Sequence, residues 1–565
     1  MRYSAGDLRD IRLGGTEIVR RIYMVFQDRN WTARPWTILE EDVHAAADSF
    51  AITLRARGSF DAEPFTWTGR LTGSPDGTIR YEVDGGTEAS FIRNRLGLCI
   101  LHPPILAGSA ATLETVDGTV VETAFPLAIS PDQPFADMRA LTHEVVPGLR
   151  ATVTMTGETF ESEDHRNWSD ASYKHYCTPI SLPFPVTVDP GDRVAQAVEV
   201  TLDGAVLPQD WSAPALRIDI DDDEHPLPRI GVQLDHDGHR LTTVEIERLA
   251  ALRLGHVRVD IDTSSPSAST RLEAALQDAA AISALLVPAL HVADVADLAR
   301  LAPWGDDGRI DHWLVFDPAT KVSDPALVAA AAAVLGPRVG GGTNLYFTEL
   351  NRGRPPATPF MAFSLNPQVH ASDDQSVMQT ATTQSALARN ARALYPDAWL
   401  EASPITLRPR FNPNATAPEL DHSNTALPSR VDARQCTDFA ATWTVLSLKA
   451  ISETGAVDAV TYYEATGWEG LMERAEGSEQ PGDFTSTPGG TFPVYDVFAA
   501  LADARGVRRC RSTDPARVDA LALSNGTILI ANPTGEQQVV DVEHRSITVA
   551  PFSVVRLTTS GREPS

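Results

Sequence analysis

Cysteine is scarce in this chain: four in 565 residues, Cys99, Cys177, Cys436 and Cys510, with no CxxC pair among them. That spacing supports neither a disulfide framework nor a zinc site. No run of about 18 apolar residues occurs, so no helix is expected to cross a membrane. The opening stretch MRYSAGDLRDIRLGG is charged and lacks an apolar centre of about 7–15 residues, so no signal peptide is expected and a cytoplasmic setting is. Basic residues are in deficit, with 47 Lys+Arg against 75 Asp+Glu and a formal net charge of −28. A surface of that sign excludes nucleic-acid phosphates and anionic membrane faces as partners. Three chemical signatures are also missing. No GxGxxG turn follows the first strand of the α/β region, and no GxSxG elbow occurs. GPRVGGGTN is glycine-rich but lacks the Lys-Ser/Thr of a phosphate loop.

What is present is a change of rhythm along the chain. Up to about residue 205 the sequence alternates apolar and polar residues in short runs, among them SFAITLRARG, FTWTGRLTG and LRATVTMTGETFE, closed by Gly, Asp or Asn turns. Strands at this spacing predict an N-terminal β-sandwich, residues 1–215. The acidic stretch IDIDDDEHPLP (218–228) reads as a link. Eight apolar strands then alternate with Ala-rich helical stretches: 229–235, 256–262, 284–290, 312–318, 343–351, 360–368, 398–406 and 457–465. That count and length predict a central (β/α)8 TIM-type barrel over 225–505. A small C-terminal β-domain, 506–565, is expected to pack on the barrel. The fold class is thus multidomain α/β plus β.

In such a barrel the chemistry lies at the C-terminal strand ends. Glu464, in VTYYEATGW, ends the eighth predicted strand, and Glu349, in YFTELNR, ends the fifth. Two carboxylates converging on one mouth can act as general acid and base when their surroundings separate their pKa values. The bland alternative for Glu349 is a salt bridge to Arg352 or Arg354. Asp235 ends the first strand, and Arg258, Asp260 and Asp262 share a face of the second. Asp317 ends the fourth, Asn366, His370 and Asp373 follow the sixth, and Arg408 and Arg410 follow the seventh. Such a ring suits a polyhydroxylated ligand, with Arg258 or Arg410 polarising a carbonyl. Asp235, Asp260, Asn351, His370, Tyr462 and Trp468 are candidates to bind its hydroxyls or stack on its ring. The cluster Asp235, His236, Asp237 and His239 could supply metal ligands with His370 and Asp373, but no second His-rich stretch completes a set, and no metal and no cofactor is expected. Two polar stretches of the first domain, 92–103 and 160–179, suit either a reach into a neighbouring site or an ion-paired domain contact.

The stretches FIRNRLGLCILHP, EDHRNWSDASYKHYCTP, FTELNR, SPITLRPRFNPNA and VTYYEATGWEG, in that order, resemble the D-apionate lactonase family of bacterial sugar-acid catabolism. The resemblance implies hydrolysis of D-apionolactone to D-apionate, in the use of the branched pentose apiose. The partner is then a small carbohydrate or sugar-lactone substrate. The order of sandwich, barrel and β-tail is also similar to that of many glycoside hydrolases, where a glutamate is expected after strand four and another after strand seven. A shift of one in the strand count would give Glu349 and Glu464 those places and a retaining glycosidase mechanism. Glu401 lies near the start of the seventh predicted strand. A non-catalytic carbohydrate-binding protein is the third reading.

Overall fold

The computed structural model describes residues 1–60, 63–204, 215–411 and 427–558. The chain divides into two compact units. One takes the described residues up to 204 except 167–170, and the other takes Asn167–Asp170 and those from 215 onward. The end of SPITLRPRFNPNA and the last residues of the C-terminal domain lie outside the described residues.

The first unit is a sandwich of a six-stranded and a nine-stranded antiparallel sheet. Period-two patterning builds it. In Phe50–Phe60, Ile52, Leu54 and Ala56 are buried while Ala51, Thr53 and Arg55 are exposed. The inner faces meet in one core, with Leu8, Val19, Phe26 and Ile100 from the smaller sheet and Leu54, Trp67, Tyr81 and Val198 from the larger. Within the polar stretch 160–179, Glu161–Asp164 pairs with Tyr173–Tyr176 across the turn His165–Trp168.

The second unit is built on a closed barrel of eight parallel strands: β1 Arg229–Gln233, β2 His256–Asp262, β3 Leu285–His291, β4 Trp313–Phe316, β5 Val339–Tyr346, β6 Phe360–Leu365, β7 Trp399–Ile405 and β8 Ala459–Glu464. All eight predicted strands are present and β8 pairs with β1, so the count needs no shift. The glycosidase positions at the ends of β4 and β7 therefore hold neither Glu349 nor Glu464. Helices α1 Thr243–Ala251, α2 Ala268–Ala281, α3 Pro325–Leu335, α4 Phe347–Gly353, α5 Asp374–Leu394, α6 Asp438–Ser452 and α7 Pro493–Leu501 alternate with the strands. Their starts follow capping chemistry: Thr242 and Glu245 form a capping box at α1, and Asp324, with Pro325 next, caps α3.

Two expectations are corrected. YFTELN is not the end of a strand: β5 begins earlier, in the glycine run Val339–Gly342, and stops at Tyr346, so Glu349 lies on α4. Those glycines let β5 approach β6 closely, since a Cβ on Gly340 would stand 2.3 Å from the Phe360 carbonyl oxygen. The acidic link is a strand, Arg217–Pro226, inside a seven-stranded C-terminal sheet and paired with Gly506–Ser512. Ile218 joins that sheet's core and Ile220 packs against it, while the exposed Asp219 alternates with them.

At the floor of the barrel, opposite the mouth, Glu401 and His312 form an ion pair at 2.9 Å, both fully buried. His312 also bonds Asp311 at 2.8 Å and stacks on Phe360, and Trp399 donates to Glu401 at 3.0 Å. Glu401 at the start of β7 is thus structural. Replacing Glu401 with Ala strands a buried imidazole and should cost about 3–5 kcal/mol of stability. Urea unfolding checks this. A midpoint equal to that of the parent protein would contradict it.

Candidate active site at the barrel mouth

Glu464 reaches the mouth through a break in the alternation of β8. Val232 of β1 pairs with Tyr462 and Gln233 with Glu464, so Tyr463 is an extra residue, a β-bulge, with φ +50°. Thr461 faces inward and bonds His256 at 2.8 Å. Tyr462 and Tyr463 both turn outward onto α6, bonding Ser447 at 2.6 Å and Thr444 at 2.8 Å. Glu464, one place later, faces inward again. Tyr462 is therefore turned away from the barrel mouth and fully buried against Phe498.

Around Glu464 the chain gathers a histidine and two more carboxylates. Its Oε1 accepts from the His236 backbone N–H at 3.0 Å, His236 Nδ1 at 2.9 Å and Gln233 at 3.4 Å. Its Oε2 takes the longer contact from His236 Nδ1 at 3.1 Å. The hydrogen bond to Glu464 raises the His236 pKa. Asp235, 2% exposed, accepts from the Thr466 N–H at 3.0 Å and Arg474 at 2.8 Å. Burial, then the Glu464 charge, push its carboxyl up to about 6. Glu469 sits on the single turn Gly467–Glu469, where Gly467 at φ +74° folds the chain back so that Gly470 bridges to Glu464. Carboxylate oxygens of Glu464 and Glu469 and a ring nitrogen of His236 lie within 4.8 Å of one another. Arg430 contacts His236 Nε2 and pairs with Glu469 at 3.0 Å. Burial and the Glu464 charge raise Glu469 to about 7.

Beside this cluster two guanidiniums share one carboxylate and one amide. Arg258 is fully buried and donates to Ser403 at 2.8 Å, Asp260 at 2.7 Å and Asn344 at 2.6 Å. Arg410 donates to Asp260 at 3.1 Å and to the Asn344 side chain at 2.7 Å. Burial opposes ionisation of Asp260, yet Arg258 and Arg410 hold it well below the usual carboxylate range. Burial lowers Arg410 to about 10, which leaves it charged at neutral pH. His291 bonds Asp260 at 3.3 Å and lines two cavities. One, of about 320 Å³, is bordered by His236, Asp260, Asp262 and Arg271; the other, of about 380 Å³, by Phe316, Asp317, Lys321, Asn344 and Phe411.

The other expected contacts lie elsewhere. Among the described residues Glu349 is paired with Lys321 at 3.1 Å, not with Arg352, Arg354 or Glu464. Asn351 donates to Asn167 at 2.9 Å and His370 bonds Asp170 at 2.6 Å, so both hold the segment Asn167–Asp170. Trp468 donates to Ser478 at 2.9 Å and its ring lies beside Phe484. Of the candidate metal ligands, Asp235 and Asp237 take Arg474, His239 takes Glu245, His370 takes Asp170 and Asp373 caps α5, while His236 joins Glu464 and Glu469 in a group whose ligand atoms are close enough to hold a cation. Arg408 pairs with Asp432 at 3.5 Å, and Asn366 accepts from the Gln368 N–H at 3.1 Å. Glu469, Arg430, Asn344, His291, Lys321 and Arg474 were not singled out from sequence. The one available signal was the Gly467 that follows Glu464 and lets the chain double back.

Family models for the D-apionate lactonase N-terminal, TIM barrel and C-terminal immunoglobulin-like domains match residues 1–205, 317–506 and 515–557. The D-apionate lactonase of Brucella anthropi is 30% identical, with 98% of this chain and 95% of that protein aligned. Among solved structures, a GH39 β-xylosidase from Caulobacter crescentus is 13% identical, with a TM-score of 0.37 and coverage of 61% of this chain and 97% of that one. A GH30 endoxylanase from Clostridium papyrosolvens is 11% identical, with a TM-score of 0.37 and coverage of 61% and 95%. Likeness of that degree bears no weight here, and it is the domain matches in order, with the alignment along nearly the whole length, that place this chain in the D-apionate lactonase family.

Proposed function

We propose that this protein hydrolyses a sugar lactone in its barrel mouth, with D-apionolactone as substrate and D-apionate as product. Family membership supports the reaction class. The observation that carries the site is Glu464, turned inward by the Tyr463 bulge and held by His236 in a buried carboxylate cluster. Glu464 acts as general base on a water molecule, through the oxygen that carries fewer hydrogen bonds. Arg410, fixed by Asp260 and Asn344, stabilises the oxyanion that forms on the carbonyl. Arg258 has no exposed surface, so it positions Arg410 through their shared partners and does not touch the substrate. Glu349 holds Lys321 against the larger cavity, where the ammonium binds ring hydroxyls.

Incubation with aldonolactones and with aryl glycosides in parallel should release acid and no phenol. Phenol release without lactone opening overturns the reading in favour of a glycosidase. Glu464→Gln should lower kcat by about 100-fold or more at an unchanged melting temperature. Glu349→Gln should raise KM several-fold while kcat falls by less than about tenfold. Equal collapse of kcat in both variants would instead make the two glutamates a catalytic pair.

A further inference from the structure

We infer that Glu469, not Glu349, is the second catalytic carboxyl: it stands beside Glu464 as the proton donor to the departing ring oxygen. The inference rests on the lactonase reading and names a residue role within the same site. Three features carry it. Glu469 is brought within 4.8 Å of the Glu464 carboxylate by a one-turn reversal, whereas Glu349 is engaged by Lys321. Its side chain is 11% exposed, so it is largely dry without being sealed from the mouth. Arg430 takes one of its oxygens at 3.0 Å and fixes the group in place.

The groups acting on Glu469 come from every side of the mouth: Glu464 on β8, His236 after β1, Arg410 after β7, and Arg430. Burial and the negative Glu464 outweigh the three cations, which leaves Glu469 with a pKa of about 7. Two carboxyls this close do not both ionise readily, and the division of labour follows. In the first step a water oxygen bonds the lactone carbonyl carbon, its proton passes to Glu464, and the C=O π pair moves onto oxygen as the oxyanion beside Arg410. In the second the oxyanion re-forms C=O, the bond from acyl carbon to ring oxygen breaks, and the Glu469 proton moves to that oxygen as it leaves with the bond pair. The product acid ionises, Glu469 recovers a proton, and Glu464 gives up its own. The net change is one lactone and one water giving one hydroxy-carboxylate anion and one proton released to solvent.

The sign of the pH dependence is fixed. The protonated, active form of Glu469 is lost as pH rises through about 7, so kcat for a sugar lactone falls on the alkaline side. Glu469→Gln should lower turnover by about 100-fold or more and abolish that alkaline limb between about pH 5 and about pH 9. Glu469→Asp, which keeps the acid, should retain the limb at reduced rate. Dihydrocoumarin has a phenolate leaving group that needs little proton assistance, and Glu469→Gln should spare it relative to the sugar lactone. A Glu469→Gln protein that keeps the limb, or retains most of its turnover, refutes the assignment. A parent protein that opens no lactone refutes the activity reading instead. In that case the infrared band of a protonated carboxyl, lost above about pH 7 and absent from Glu469→Gln, still decides whether Glu469 carries the proton. Absence of that band from the parent protein refutes the assignment.

Discussion

A guanidinium sealed inside a barrel must be given every hydrogen bond that water would have supplied, and Arg258 imposes that demand here. Its partners come from three strands: Ser403 on β7, Asn344 on β5 and Asp260 on β2 itself. Breaking such a set would leave an uncompensated buried charge, a penalty of about 3–5 kcal/mol. Strands β2, β5 and β7 are thereby held at fixed spacing across the barrel. Arg410 uses two of the same partners, so the inner cation sets the place of the outer one. The pair carries two positive charges against the single Asp260 carboxylate, and the surplus faces the mouth where Glu464 and Glu469 sit.

The second constraint is the backbone at Tyr463. A left-handed φ on a bulky side chain costs on the order of 1–3 kcal/mol. It is held there by two buried phenols, each hydrogen-bonded to α6, and by the pairing of β8 with β1 on either side. Were the strand regular through Tyr463, period two would turn Glu464 outward into the helical layer. The strain at one position therefore has a specific product, an acidic side chain aimed into a polar mouth.

The barrel was legible because a strand buried on both faces is a short apolar run, and eight such runs stand between helix formers. Glu464 was legible as a charged residue closing one of them. The reversal after Gly467 was not, because a strand-end reading places Glu469 beyond the rim, whereas the turn folds it back to Glu464. Arg430 approaches from a segment far away in sequence, which no local pattern exposes. Glu349 misled because an apolar run followed by Glu reads alike at a strand end and in the first turn of a helix; only the earlier start of β5, in glycines, separates the two. The acidic strand Arg217–Pro226 was hidden by its composition, since a run of aspartates reads as a link although isoleucines hold the core face.

The charge of the whole chain gains meaning from this mouth. A lactone is neutral and its hydrolysis product is an anion, so the long-range field of a protein with net charge −28 leaves arrival nearly untouched and opposes retention of the product. On the lactonase reading, the attraction needed for the transient oxyanion would be local, supplied at short range by Arg410, whose side chain is mostly buried and so weakly screened. A uniformly cationic pocket would stabilise the oxyanion and the carboxylate product alike, binding both without gain in turnover. An acidic exterior with two interior guanidiniums separates those effects by distance. On the lactonase reading, the deficit of basic residues and the burial of Arg258 are parts of one electrostatic arrangement.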